Sequence, residues 1–326
     1  MPESSAADPG KTSASRTPAP RAFRFGVQCA LAPSRQAWQD KARRVEALGY
    51  HVFVVPDHFG PQLAPVPALL SAAEATRSIR IGSLVFDNDF RHPAMLAKEV
   101  ATLDLLSDGR FELGLGAGWL KTEYDQAGIE FAPGATRVAR MIESVALLRA
   151  IFRGGPTTHA GAHYAIRELD CPPVPVQRPC PPLLIGGGGP RMLRFAAREA
   201  DIIGIVPRSL PQGGLDLDDS SPEAFHEKIS WIRDAAGSRL ADIELNTLLQ
   251  AIAITDDRDA TAAQLAGPFG VEPKTLLESP LVLIGSPSQI EETLLARRET
   301  FGLSYYSLFE PHMEAFAPIA ARLAGR

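Results

Sequence analysis

The pair Asp57–His58 ends the β-rich run "HVFVVPD", and an imidazole at such a strand end is suited to moving a proton near neutral pH. The plainer alternative is that His58 only hydrogen-bonds a ligand or the backbone. Two glycine clusters stand in comparable places. "FELGLGAGW", Phe111–Trp119, has glycine at 114, 116 and 118. It fails as a dinucleotide fingerprint, which needs GxGxxG in an early strand–turn–helix unit, and no GK[ST] follows to make a phosphate loop. Alternate glycines strip one face of a strand, so a flat ring can approach the backbone; relief of crowding between packed strands explains the same pattern. "IGGGGP", residues 185–190, precedes a helix expected to begin near Arg191, where bare amide N–H groups suit a phosphate. Together the clusters predict a ring-bearing cofactor with a phosphate tail.

Other chemistries find less support. Cys29, Cys171 and Cys180 show no CxxC spacing and the seven histidines no HExxH spacing, so neither a disulfide framework nor a metal site is expected. No lysine at a strand end suggests Schiff-base chemistry.

The elements that must position these groups alternate from Phe23 onward. Strands are expected at 23–30, 51–57, 79–86, 110–118, 181–189, 201–207, 243–255 and 304–310, with amphipathic helices between them. Eight apolar strands, each followed by helix, predict an α/β fold, a closed (β/α)8 TIM barrel forming one domain over 23–326. Barrel enzymes carry their chemistry at the C-terminal ends of the strands, where the Asp-His pair and both glycine clusters fall. Two insertions are expected at that face. Residues 154–182, with "CPPVPVQRPCPP", read as a stiff extended connection, and 208–221 as a flexible acidic loop. The Ser-, Ala- and Pro-rich residues 1–22 read as a disordered tail without the apolar core of a signal peptide.

A net charge of −5 excludes the basic stripe of a general nucleic-acid binder. No run reaches the roughly 18 apolar residues of a membrane span, and a cytoplasmic location is expected.

Taken together, "VVPDHFG" (54–60), "RHPAMLAKE" (91–99), "TLDLLSDGRFELGLGAGW" (102–119), "LLIGGGGPRML" (183–193) and "LVLIGSPSQIEETL" resemble the bacterial luciferase-like flavin and deazaflavin oxidoreductases. The resemblance runs through almost all of 23–326 and is nearest to the branch that uses coenzyme F420, an 8-hydroxy-5-deazaflavin. It implies a cofactor ring at the barrel mouth, supported from behind by a third-strand bulge with a non-proline cis peptide, here at Leu84–Val85. It implies Asp57 beside the ring and His58 near the reacting carbon as the catalytic residue. Cofactor contacts are implied for Asp87 and Asn88, for Gly116, Ala117, Gly118 and Thr122, and for Gly186, Gly187, Gly188, Gly189 and Arg191. Cys29, Trp119 and Tyr124 are expected to line the pocket for a small-molecule substrate, with Glu123 within reach of the mouth.

One departure bears on the substrate. Sugar-phosphate dehydrogenases of this family place an acidic residue after the glycines, where this chain has Trp119, and an aromatic residue near the position of Gln62. Glucose 6-phosphate is therefore not expected, and Trp119 suits an apolar pocket wall. The same barrel also serves FMN-dependent two-component monooxygenases using reduced flavin and dioxygen, and a non-catalytic flavin carrier is a further alternative. A homodimer and a separate cofactor reductase are implied as partners.

Overall fold

The computed structural model describes residues 21–326. The expected disordered tail lies, up to residue 20, outside the described residues. In chain order the first half runs β1 (Arg24–Gln28), α1 (Arg35–Ala47), β2 (Val52–Val55), α2 (Pro65–Ala75), β3 (Arg80–Ser83), β4 (Phe86–Asp87), α3 (Pro93–Leu106), β5 (Phe111–Gly116), α4 (Lys121–Ala127), α5 (Gly134–Phe152). It continues with β6 (Thr157–Ala160), β7 (Ala165–Leu169), β8 (Leu183–Gly187), α6 (Pro190–Glu199), β9 (Ile202–Ile205), α7 (Pro222–Ala236), β10 (Glu244–Leu249) and β11 (Ala251–Ile254). The chain closes with α8 (Arg258–Phe269), α9 (Pro273–Glu278), β12 (Val282–Gly285), α10 (Pro287–Phe301), β13 (Leu303–Phe309) and α11 (Met313–Leu323).

Eight strands form a closed parallel ring in the order β1, β2, β3, β5, β8, β9, β10, β13 and back to β1. The two-residue β4 continues β3 along β5 after a break at Leu84–Val85. Proline opens α2, α3, α6, α7, α9 and α10, where its missing N–H costs nothing and its fixed φ suits the helix.

Most of the core lies between strands and helices, as a sheet covered on its outer face requires. A second small cluster, Val52, Val54, Leu184, Ile202 and Tyr305, fills the barrel interior, with Leu84 and Val85 packed on it. Charge closes the end away from the site: Glu112 pairs with Arg24 at 2.9 Å and with Arg80 at 2.6 Å, and Arg24 reaches Glu244 at 3.0 Å. These groups sit at strand starts, the barrel face associated with stability rather than catalysis.

Two expectations about the elements are corrected. The run 243–255 is two strands, not one. Beyond Leu249 the chain leaves the ring, and β11 pairs in parallel with β12 outside it. Along β11 burial fades from Ile252, which is buried, to Ile254, which is exposed, whereas β10 is buried almost throughout. Within 154–182 the prolines stiffen only the second half; β6 and β7 precede them as an antiparallel hairpin. Among the described residues no helix is long and apolar enough to cross a membrane.

Candidate active site

The end of β2 delivers Asp57 and His58 to the barrel mouth. Asp57 is buried, and its carboxylate takes two hydrogen bonds from Arg91, at 2.5 and 3.1 Å, and a third from the Asp87 amide at 3.0 Å. The Arg91 guanidinium also lies over the Phe86 ring, 4.7 Å from its centroid. Asp57 is thus committed to holding the strand ends of β2 and β4 together.

His58 stays partly open. Its Nδ1 lies 2.7 Å from Glu123 Oε2, and Glu123 Oε1 accepts the Phe59 amide at 3.0 Å. The Trp119 ring stands edge-on to the imidazole, with centroids 5.9 Å apart and planes at 89°. Among the described residues Nε2 has no hydrogen-bond partner in the protein. An aromatic row continues from the exposed Phe59 through Phe90 and Tyr124 to Phe131.

The glycines of β5 do something other than bare the backbone for a ring. A Cβ on Gly114 would strike the Ser83 carbonyl at 1.9 Å, and one on Gly116 would strike Val85 Cγ2 at 2.7 Å. A Cβ on Gly186 of β8 would also touch Val85, at 3.5 Å. The missing side chains make room for the Leu84–Val85 bulge, whose peptide is cis. Gly118, at φ +77°, leaves space for the Tyr124 hydroxyl and Asp87. The bulge therefore presents Leu84 and Val85, both half-buried, as an apolar platform at the mouth. Arg137, itself buried, donates to the Ala117 carbonyl at 3.1 Å and fixes the turn that follows β5.

Asp87 is buried under Tyr124, whose hydroxyl lies 2.8 Å from both its oxygens. Burial pushes the Asp87 carboxyl up to about 7, and the nearby Asp89 and Asp57 charges add to the rise. The Asp89 amide and the Tyr124 hydroxyl oppose it. Asn88 is buried and donates to the Tyr164 hydroxyl at 3.1 Å, which ties the hairpin insertion to the mouth.

The remaining sequence-derived residues are spread more widely. Gly188 lets the loop after β9 approach closely, since a Cβ there would meet the Val206–Arg208 backbone, and Gly187 accommodates Met192. Gly189 caps α6 without a side-chain hydrogen bond, leaving amides free at that helix start. Arg191 is exposed and donates to the Ala135 carbonyl, and Thr122 is exposed on α4. Two expected pocket residues offer a substrate no surface. Cys29 is fully buried in the core, which raises its thiol pKa, and Tyr124 is spent on Asp87. The 208–221 loop rests against the turn after β5, where the Gly214 amide donates to the Trp119 carbonyl at 3.2 Å.

These residues fit a flavin-like group. The Leu84–Val85 platform gives a flat ring an apolar support, and the open start of α6 offers amides to an anionic tail.

The luciferase-like monooxygenase family model matches residues 22–216. The chain belongs to the luciferase-like monooxygenase family. An F420-dependent glucose-6-phosphate dehydrogenase of Nakamurella multipartita is 31% identical over 248 residues, covering 72% of this chain and 68% of that one. The chain spans about half the length of several other relatives bearing that name. Among solved structures, the coenzyme F420 dependent tetrahydromethanopterin reductase of Methanopyrus kandleri superposes with a TM-score of 0.74 at 18% identity, covering 93% of this chain and 98% of that one. The FMN-bound oxygenating constituent of 3,6-diketocamphane monooxygenase from Pseudomonas putida gives 0.68 at 16%, with 93% and 98% covered. The luciferase-like barrel of this chain is thus an oxidoreductase scaffold shared by deazaflavin and flavin enzymes.

Proposed function

We propose that this luciferase-like protein is a coenzyme F420-dependent oxidoreductase acting on a C=C, C=N or carbinol carbon of a small, fairly apolar substrate. The observation that carries the proposal is His58, a partly open imidazole held by Glu123 and Trp119 at the end of β2, with Nε2 unpartnered among the described residues. Relatives named F420-dependent, among them the 31% identical dehydrogenase, support the deazaflavin over FMN. When bound, the deazaflavin gives or takes the hydride.

The chain supplies support, orientation and the proton. Leu84 and Val85 carry the ring, and the amides from Gly186 to the start of α6 hold the tail. In the oxidative direction Nε2 of His58 takes the carbinol proton; in reduction it returns one to the substrate. Trp119, edge-on to the imidazole, shields that exchange from water and favours apolar substrates. A homodimer and a separate cofactor reductase complete the proposal.

The test is turnover of His58→Gln against a panel of small secondary alcohols and enones with oxidised or reduced F420. A fall in kcat of about 100-fold or more is expected for a proton-transferring group. Unchanged turnover would remove His58 from the chemistry.

A further inference from the structure

We infer that Glu123 fixes the tautomer of His58 and so determines which ring nitrogen handles the proton; this rests on the proton-transfer role of His58 proposed above. Glu123 lies on α4, 65 residues from His58 in sequence, with its side chain 10% exposed. Its Oε1 is occupied by the Phe59 amide, which can only donate. Its Oε2, 2.7 Å from Nδ1, belongs to a carboxylate and has no hydrogen to give. Nδ1 must therefore carry the proton. In the neutral ring this leaves the lone pair on Nε2, the nitrogen without a protein partner.

The ring is also kept from turning over. Trp119 stands at 89° to the imidazole, and a half-turn about the Cβ–Cγ bond would break the contact with Oε2 and place a carbon there. Both constraints come from one short stretch, because Trp119 precedes α4 by two residues and Glu123 is the third residue of that helix. Glu123 is a positioning residue: both its oxygens are engaged within the protein, and it acts through His58. A carboxylate that orients an imidazole through Nδ1 recurs where histidine transfers protons or binds metals.

Replacement by glutamine has a defined chemical consequence. The amide has one oxygen, which the Phe59 N–H retains, so its NH2 group faces Nδ1 and donates to it. The neutral ring then carries its proton on Nε2, which can no longer accept one.

The test is 15N NMR of the full-length protein labelled at histidine, without cofactor, at a pH where the ring is neutral, with the signal assigned through His58→Gln. The wild-type ring is expected to show protonated Nδ1 and unprotonated Nε2, and Glu123→Gln the reverse. The other six histidines, unmoved, report an intact fold. Glu123→Gln should also lower kcat about 10- to 100-fold with KM within about twofold. A wild-type ring protonated on Nε2, or a tautomer unchanged in Glu123→Gln, overturns the inference, and the wild-type spectrum decides it even if the variant does not fold. If the tautomers are as expected but His58→Gln turns over normally, the positioning by Glu123 stands and the proton-transfer role of His58 fails.

Discussion

The hydroxyl of Tyr124 lies 2.8 Å from both carboxylate oxygens of Asp87, so one hydrogen is shared between two acceptors on a buried acid. Even with the Asp89 amide donating at 2.9 Å, that is sparse compensation for removing a carboxylate from water. Asp87 accordingly titrates near 7 in the folded protein, against an ordinary value of 3.8. Between those values the native state holds a proton that the unfolded chain has released. Stability therefore falls as pH rises through the window, and the loss is complete above about 7. Asp87→Asn lacks this loss. Thermal denaturation should show the variant gaining on wild type as pH goes from about 4.5 to 8, whereas a pH-independent difference in Tm would contradict the burial of this acid.

The Arg91–Asp57 pair makes a separate prediction about stability. Arg91→Met strands the buried Asp57 carboxylate, and the expected cost is about 3 kcal/mol in urea denaturation. Adding Asp57→Asn should recover a large part of that cost, since an uncharged amide needs no counter-ion. A double variant as unstable as Arg91→Met alone would mean that the charge is not what matters there.

The two glycines of β5 should separate by function. Gly114→Ala drives a Cβ into the Ser83 carbonyl, a backbone atom that cannot move aside, so a loss of at least about 3 kcal/mol or failure to fold is expected. Gly116→Ala meets only the end of the Val85 side chain, so the barrel should fold while its platform shifts. Cofactor affinity, measured by fluorescence titration, is expected to fall about 10-fold, a difference of about 1.4 kcal/mol. Equal effects of the two substitutions on stability and binding would contradict this division.

These glycines also show what was legible in the sequence. Their alternation placed β5 correctly, because period-2 patterning is local. What fills the space they vacate was not legible, since Val85 comes from another strand and reaches Gly114, Gly116 and Gly186 only once the ring closes. Glu123 posed the same difficulty. Its position after Trp119 put it near the mouth, but its pairing with His58 spans 65 residues and depends on the path of α4. Tyr124, one residue on, points to the opposite partner, Asp87, and the sequence carries no sign of that choice. The break after Leu249 was not legible, because 243–255 contains no glycine or proline and β11 leaves the ring to pair with β12, a strand much further along the chain.

Trp119 bears on the substrate. With an indole in place of an acid beside His58, glucose 6-phosphate should give no detectable turnover, while small apolar alcohols or enones should. Trp119→Ala is expected to raise KM for such a substrate about 10-fold, as loss of an aromatic wall would. Steady-state turnover of glucose 6-phosphate by the wild-type enzyme would refute the apolar pocket.

Cofactor choice is tested most directly by titrating the purified protein, in parallel, with F420 and FMN in oxidised and reduced forms, followed by absorbance and fluorescence. Saturable F420 binding that is weakened in Gly116→Ala, with reduced FMN bound at least about 10-fold more weakly, is the predicted result. Saturable binding of reduced FMN with oxygen-dependent product formation, and no binding of F420, would contradict it.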